Sequence, residues 1–255
     1  MIVITAPAGL IGHQVLENVL GSGEPVRVIV RDADRLPAQV RDRVEVVPGS
    51  HGDADVVDRA FAGADAVFWL VPPDPHASSV EAAYVGFTRP ASDAFERHQA
   101  GRVVGISALG RGTAAARHAG LVTASLAMDD LIASTGVSYR ALTMPSFMDN
   151  LLRQADSIKN RGVFGTPVSA DRKLPSCATR DIAATAARLL LDDSWRGWAT
   201  WRSWAPKTCR SATWRASCPR YSASPCVTSR YPLRPSKTGS PPPECRTPWP
   251  RAPST

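Results

Sequence analysis

Cysteine is almost missing from most of this 255-residue chain: Cys177 is the only one among residues 1–195. That part of the chain therefore cannot hold a disulfide framework. No apolar run approaches the roughly 18 residues of a membrane span, and Met1 leads directly into a strand-like run instead of a basic and then apolar leader. The five histidines show no metal-ligand spacing. We expect a soluble, cytoplasmic protein without a metal site or a membrane partner.

An excess of positive charge is also missing from residues 1–195, although the whole chain carries +7. The last 60 residues hold eleven basic residues and one acidic residue, a net charge of +10, which leaves −3 for the rest. The same 60 residues hold eleven of the 22 prolines and five of the seven tryptophans. The basic isoelectric point is therefore no sign that the ordered part binds nucleic acid.

Three interpretations of the tail, residues 196–255, compete. It is a basic, aromatic segment for single-stranded nucleic acid, a natural disordered linker, or an out-of-frame translation. Back-translation favours the last, because codons shifted by one frame restore regularly spaced apolar residues. With few aliphatic residues to bury, the tail is expected to be disordered and nucleic acid is not expected as a partner.

Short apolar runs alternate with helical patterns along the first 145 residues. The strand-like runs lie at residues 2–5, 26–30, 44–49, 66–73, 102–107 and 137–145. The helical patterns lie at residues 11–20, 54–62, 79–100 and 125–136, with Pro90 expected to kink or split the third. This alternation predicts an α/β fold with a doubly wound, Rossmann-like parallel sheet. The predicted domains are a nucleotide-binding domain over 1–150, the start of an incomplete substrate subdomain over 151–195, and the tail over 196–255.

The first strand runs into Ala6-Pro7-Ala8-Gly9-Leu10-Ile11-Gly12 and then into a helix. Glycines at a strand-to-helix turn let the backbone approach a pyrophosphate, and the helix N-terminus supplies free N–H donors. Ala6 stands where the first glycine of the usual pattern would be, which weakens the motif. An ordinary tight turn is the alternative, but the placement after an N-terminal strand favours nucleotide binding.

Residues 1–195 resemble the NmrA-like group of atypical short-chain dehydrogenases/reductases. The motifs that carry the resemblance are TAPAGLIGHQVL (5–16), VRVIVRD (26–32), GDADVVDRAFAGADAVFWLVPP (52–73), VVGISALG (103–110), AMDDLIASTGVSYRALTMPSFMDNL (127–151) and TRDIA (179–183). The group usually carries G-x-x-G-x-x-G where this chain begins with alanine. The resemblance implies NAD(P)(H) binding, with reductase activity in some members and cofactor sensing in others.

The resemblance also implies which residues meet the cofactor. The expected cofactor-binding residues are Ala6, Ala8, Gly9, Leu10, Ile11, Gly12, Arg31, Asp53, Leu70, Val71, Pro72, Ser107 and Pro145. Arg31, which ends the second strand, suits a 2′-phosphate, so NADP is favoured over NAD. A solvated charged loop is the alternative for Arg31, and a helix N-cap is the alternative for Asp53.

A proton-donating pair is missing. Typical short-chain dehydrogenases use Tyr-x-x-x-Lys with a serine, but Tyr84 and Tyr139 are the only tyrosines before the tail and neither has lysine four residues later. Ser107 stands where that serine is expected. It is the one catalytic candidate, either bonding a substrate carbonyl or capping a loop.

Hydride transfer without such a pair is possible when the acceptor is a quinone or a conjugated, dye-like molecule. Phe147, Met148 and Asn150, with Pro145, are the expected substrate wall, and core packing or helix capping is the alternative for them. The predicted function is hydride transfer from NADPH to such an acceptor. The alternative is a non-catalytic NAD(P)-sensing regulator that binds a protein partner.

Overall fold

The structure, a computed structural model, describes residues 1–161, 163–165, 173–202, 209–210 and 227–229. The chain divides into two units. The first contains Met1–Met144 and Thr179–Ser203, and the second contains Pro145–Ala178 and Trp204–Thr255. Helix and strand bounds below follow chain order over both units.

A seven-stranded sheet forms the centre of the first unit. Its strands are β1 (Ile2–Thr5), β2 (Val26–Val30), β3 (Glu45–Pro48), β4 (Ala66–Trp69), β5 (Arg102–Ala108), β6 (Ser138–Met144) and β11 (Trp198–Arg202). Every pair of neighbours is parallel, in the order β11-β6-β5-β4-β1-β2-β3. The chain reverses its direction of winding between β1 and β4, and ligands of such sheets bind outside the carboxyl ends of the strands at this point. The predicted doubly wound fold is confirmed.

Helices connect the strands, as parallel pairing requires. Those of the first unit are α1 (Gly12–Leu20), α2 (Ala38–Arg41), α3 (Ala54–Phe61), α4 (Phe87–Arg97), α5 (Leu121–Ser134) and α7 (Thr179–Leu191). Short 3₁₀ turns lie at Ala33–Arg35 and Ala114–His118. Helix α7 packs on α1. The structure thus places residues 179–191 with the sheet, whereas the sequence interpretation began a substrate subdomain at residue 151.

Aromatic side chains fill the layer between the sheet and helices α3, α4 and α5. Phe61 and Phe95 stack with ring centroids 4.9 Å apart, and the Trp69 ring meets both edge-on. The indole Nε1–H of Trp69 donates to Thr88 Oγ1 at 3.2 Å, so its polar atom is satisfied in the core. Burial of these apolar surfaces holds the helices on the sheet.

Pro90 lies inside α4 without ending it. A π-helical segment, Ala82–Gly86, runs directly into α4. Proline has no N–H and its ring crowds the preceding turn, and the wider π turn accommodates both effects. The predicted disturbance at Pro90 is thus a change of helix type one turn earlier.

The second unit has short elements. They are β7 (Ser146–Phe147), β8 (Val163–Gly165), β9 (Lys173–Leu174), β10 (Ser176–Cys177), β12 (Cys209–Arg210), β13 (Val227–Ser229), a 3₁₀ helix (Met148–Gln154) and α6 (Ala155–Arg161). The strands pair as β7 with β10, β8 with β13, and β9 with β12. Gln154 fastens this unit locally: its side chain donates to Gly165 O at 2.9 Å and accepts from Gly165 N at 2.8 Å.

The expected disorder from residue 196 onward is wrong for residues 198–202, which form β11 beside β6. Arg140 on β6 holds the residues that lead into β11: its guanidinium donates to the carbonyls of Gly197 at 2.7 Å and Arg196 at 3.1 Å, and lies 4.4 Å from the Trp195 ring centre. Backbone pairing with a neighbouring strand needs no particular side chains, so an atypical segment can extend the sheet. Residues 203–208, 211–226 and 230–255 lie outside the described residues, as does the expectation made for them, and the out-of-frame origin stays a prediction.

Candidate functional site

The turn between β1 and α1 has the geometry that a phosphate needs. Ala6 adopts φ +50°, in the left-handed region that favours glycine. This conformation aims the Ala6 carbonyl at the turn, where it accepts from Gly9 N at 3.0 Å. A Cβ on Gly12 would lie 2.0 Å from Ala6 O and 2.8 Å from Ala6 C, so no other residue fits there without moving the turn.

Helix α1 begins directly at this turn. Its first intrahelical bonds run from His13 N to Gly9 O and from Val15 N to Ile11 O, both 3.0 Å. The His13 side chain also turns back, with Nδ1 2.9 Å from Gly9 O. Gly9 and Leu10 are exposed, so the turn faces solvent with the positive end of the helix dipole. The structure thus brings the predicted turn residues together at the start of α1, and their binding of an anion stays a prediction.

A pocket of about 310 Å³ opens beside the turn. Its lining residues come from the turn, from α1 and from the loop after β2: Pro7, Ala8, His13, Leu16, Glu17, Arg35, Leu36, Pro37 and Val40. Arg35 is the basic residue of that loop in the lining, whereas Arg31, predicted to meet a 2′-phosphate, is exposed at the end of β2 and outside it. The role of Arg31 at a 2′-phosphate stays a prediction, and the structure adds Arg35 as a second candidate.

The carboxyl ends of β1 and β4 are tied together by Thr5. Its Oγ1 donates to Phe68 O at 2.9 Å and accepts from Leu70 N at 3.0 Å, so both strands end at one level. Leu70 is half-buried, Val71 is buried and Pro72 is exposed, and these three predicted cofactor-binding residues lie at the point where the winding reverses.

His51 joins the β3–α3 loop to this edge, and sequence reasoning gave it no role. Its ring, 8% exposed, meets Trp69 and Phe87 edge-on, and Nε2–H donates to Leu70 O at 3.0 Å. Burial lowers the pKa of His51 to about 4, although the hydrogen bond to Leu70 opposes this, and the charge of Arg31 lowers it further. The His51 ring is therefore uncharged at neutral pH and packs as a neutral side chain between Trp69 and Phe87.

Asp53 lies on the same loop as His51 and is exposed. It occupies the N-cap position of α3, where its backbone carbonyl accepts from Val56 N at 3.2 Å and Val57 N at 3.1 Å. Its side chain makes no capping hydrogen bond. The cap alternative therefore holds for the backbone, and the carboxylate is left facing solvent at the carboxyl edge of the sheet.

Ser107 belongs to a buried polar cluster that the sequence did not reveal. The residue is 7% exposed, and its Oγ donates to Asp129 Oδ2 on α5 at 2.5 Å. Tyr139 on β6 donates its hydroxyl to the other oxygen, Asp129 Oδ1, at 2.7 Å. Gly105 makes room for that tyrosine, since a Cβ there would lie 2.4 Å from the hydroxyl. The structure shows neither loop capping by Ser107 nor a free serine proton.

Arg111 approaches the same carboxylate from the loop after β5. Its Nη2 lies 3.5 Å from Asp129 Oδ2, while Nη1 donates to Asp130 Oδ1 at 2.7 Å and Nη2 donates to Leu126 O at 3.0 Å. Burial raises the pKa of Asp129 to about 6, against the two hydroxyl donors and Arg111, which lower it. Burial and the Asp129 charge hold the pKa of Tyr139 well above its usual range, so the tyrosine remains a donor.

The residues of the predicted substrate wall lie in the second unit. Their function as a wall stays a prediction. Pro145, Phe147 and Met148 are half-buried and Asn150 is exposed. Phe147 pairs in register with Cys177, and Met148 opens the 3₁₀ helix that contains Asn150. Asn150 therefore does not cap α6, which was its alternative role.

Two further properties concern only the part of the chain that the structure describes. In the ranges given above, His, Cys, Asp and Glu side chains nowhere gather in a group of three or more that could hold a metal ion. Among the helices within those ranges, none has both the length and the apolar character to cross a membrane.

A sequence profile for a family described as NAD(P)H-binding matches residues 8–193. The chain belongs to this NAD(P)H-binding family. The match ends next to the point where the composition changes, and the resemblance to the NmrA-like atypical short-chain dehydrogenases/reductases is confirmed.

This NAD(P)H-binding chain is similar in sequence to two curated relatives. It is 30% identical over 192 residues to the (4-alkanoyl-5-oxo-2,5-dihydrofuran-3-yl)methyl phosphate reductase of Streptomyces griseus, covering 74% of this chain and 63% of that protein. It is 25% identical over 200 residues to quinone oxidoreductase 2 of Escherichia coli, covering 77% and 66%. The chain thus spans just under two thirds of the length of these relatives.

Solved structures share the fold of the NAD(P)H-binding chain. The triphenylmethane reductase of Citrobacter sp. in complex with NADP(H) superposes with a TM-score of 0.69 at 18% identity, covering 85% of this chain and 74% of that one. The Escherichia coli quinone oxidoreductase QOR2 in complex with NADPH gives 0.70 at 22% identity, covering 85% and 73%.

Proposed function

We propose that this protein transfers hydride from NADPH to a small quinone-like or conjugated acceptor. The observation that carries the proposal is the β1–α1 turn, where the left-handed Ala6 and the bare Cα of Gly12 shape a corner for a pyrophosphate. The quinone and dye reductases among its relatives support the choice of acceptor. The cysteine-poor sequence before the tail fits a reducing compartment, and we include a cytoplasmic location in the proposal.

The residues present fit the dinucleotide. Gly12 has no Cβ, so a bound group could approach the backbone of the turn to contact distance. The start of α1 offers N–H groups to the pyrophosphate. Leu70, Val71 and Pro72 would line the continuation of the site along the carboxyl edge of the sheet. When bound, the reduced nicotinamide supplies the hydride.

The chain's own contribution is to orient two reactants and to exclude water. Trp69 and Val71 bury apolar side chains at the end of β4, and Thr5 fixes the level of β1 against β4. Positioning of this kind lowers the barrier to hydride transfer when the acceptor is itself a good electrophile. An acceptor of that class therefore matches a chain without the Tyr-x-x-x-Lys pair.

Preference for NADP over NAD is part of the proposal. Arg35 lines the pocket beside the turn and Arg31 stands exposed at the end of β2, so two guanidinium groups flank the region where a 2′-phosphate is expected. We expect Arg35→Ala and Arg31→Ala each to weaken NADPH binding while leaving NADH binding nearly unchanged. Equal losses for both cofactors would contradict a role in phosphate recognition.

The proposed activity is tested by the steady-state oxidation of NADPH with a panel of quinones, followed at the nicotinamide absorbance. We expect turnover with the full chain and none with Gly12→Ala. Gly21→Ala is a matched control, because a Cβ there meets nothing closer than 3.4 Å. Binding of NADPH by the folded protein without turnover on any acceptor would overturn the proposal.

That last outcome would support a second candidate, a non-catalytic NAD(P)-sensing regulator with a protein partner. The observation that favours it is the missing Tyr-x-x-x-Lys pair, since Tyr139 is buried in the core cluster and has no lysine four residues later. A regulator of this kind is expected to bind oxidised and reduced cofactor with different affinities.

A further inference from the structure

We propose that Asp129 and Ser107 form a relay that donates a proton to the acceptor after hydride transfer. Ser107 is the donor at the carboxyl end of β5, and Asp129 acts through it as the positioning and proton-supplying residue. The proposal rests on the reductase function proposed above and names a proton source that the missing Tyr-x-x-x-Lys pair would otherwise leave open.

Ser107 lies at the binding edge of the sheet, in front of a buried carboxyl group. Ser107 is the second-last residue of β5, at the edge of the sheet where ligands of this fold bind. Behind it, Asp129 is fully buried and its Oδ2 is 2.5 Å from Ser107 Oγ. The serine hydroxyl therefore stands between the binding edge and a carboxyl group without direct access to solvent.

The two carboxyl oxygens of Asp129 differ in their partners, and this decides which of them can carry a proton. Tyr139 remains protonated and donates to Oδ1, so that oxygen is already an acceptor. We place a proton of Asp129 on Oδ2, because its near partner, Ser107 Oγ, can change from donor to acceptor and Arg111 Nη2 is 3.5 Å away. In that state Asp129 donates to Ser107, and the serine proton is released to point toward the binding edge.

All charged and titratable groups around Asp129 bear on its protonation. Tyr139 faces it from β6, Ser107 from β5 and Arg111 from the loop after β5, while Asp130 follows it on α5 and is paired with Arg111. Burial outweighs the donors and the arginine, and with a pKa of about 6 roughly a tenth of Asp129 is protonated at pH 7. A fully buried carboxyl at this poise is suited to give and regain a proton near neutrality.

The atoms balance for a quinone acceptor. The quinone receives a hydride from the reduced nicotinamide, which is oxidised, and becomes the hydroquinone monoanion. Its oxyanion forms an O–H bond with the Ser107 proton as that serine O–H bond breaks. Ser107 Oγ in turn takes the Asp129 Oδ2 proton, leaving a carboxylate that water later protonates.

A cationic triarylmethane dye provides the discriminating comparison. Its central carbon accepts a hydride to give the neutral leuco form, and this reaction consumes no proton. A relay should therefore matter for the quinone and not for the dye. A merely structural role for Asp129 would slow both acceptors alike.

The experiment compares the full chain with Asp129→Asn and Ser107→Ala, using NADPH with a quinone and with a cationic triarylmethane dye. We expect both substitutions to lower kcat for the quinone about 100-fold more than kcat for the dye, with the loss in kcat rather than in KM. Wild-type kcat for the quinone should fall as pH rises through about 6, and Ser107→Thr, which keeps the hydroxyl, should restore most of the rate.

A readout independent of turnover is the carboxyl ¹³C signal of Asp129 in the cofactor-free protein, assigned by its loss in Asp129→Asn. We expect a titration midpoint near 6, moved upward in Tyr139→Phe because a donor to the carboxylate is removed. A midpoint near 4, or equal slowing of both acceptors by Asp129→Asn and Ser107→Ala, would overturn the relay alone. Reduction of neither acceptor by a wild-type chain that binds NADPH would overturn the proposed function, and the relay with it.

Discussion

Replacing Ala6 with glycine should stabilise the protein, although glycine usually destabilises. Ala6 holds φ +50°, and a left-handed conformation costs a residue with a Cβ about 1–2 kcal/mol. Glycine removes that strain but adds about 0.5–1 kcal/mol of conformational entropy to the unfolded chain. The net gain in the free energy of unfolding is therefore about 0.5–1 kcal/mol.

Urea unfolding measures this difference. With a slope of about 3 kcal/mol per M, the midpoint for Ala6→Gly should rise by about 0.2–0.3 M at unchanged slope. Ala8→Gly is the matched control, because Ala8 lies in the same turn but has no positive φ, so its midpoint should fall. If both substitutions lower the midpoint equally, Ala6 carries no strain and the reasoning about the turn is wrong.

Three other substitutions test separate parts of the account. Gly12→Ala should abolish NADPH binding, because its Cβ would lie 2.0 Å from the turn's carbonyl oxygen, and isothermal titration with Gly21→Ala as the control checks this. His51 is neutral in the folded protein, so the stability that it contributes is complete above pH 6.5 and is lost as pH falls toward 4. Over that window the free energy of unfolding of the wild type should drop by up to about 3 kcal/mol relative to that of His51→Gln. Parallel pH profiles of the two proteins would refute this. Asp129 changes the free energy of unfolding with the opposite sign between about pH 4 and 6. It is present in both the wild type and His51→Gln, so its effect cancels in their difference. Gly105→Ala should displace the tyrosine that donates to Asp129 and lower thermal stability, whereas an unchanged melting temperature would contradict the close packing.

Much of the fold was predictable because its signals are local. Six of the seven sheet strands coincide with the strand-like runs predicted from the sequence, and the turn from Ala6 to Gly12 follows the first of them directly. The seventh, Trp198–Arg202, was not predictable from its composition, because it is held by Arg140 and by backbone pairing rather than by its own apolar pattern.

The buried cluster could not be predicted from spacing. Ser107, Asp129 and Tyr139 come from three different elements, and only the sheet and helix geometry joins them. Asp129 lies in an acidic pair that suggests a solvated helix face, yet it is buried while Asp130 is exposed. Gly105, where a Cβ would collide with the tyrosine hydroxyl of the neighbouring strand, was the one available signal.

Titration of the full chain with NADPH and with NADH, followed by protein fluorescence, tests the central claim most directly. We expect saturable binding of both cofactors, tighter for NADPH, and loss of both in a folded Gly12→Ala variant. Saturable binding that survives in Gly12→Ala, or no binding of either cofactor by the folded wild-type chain, would contradict it.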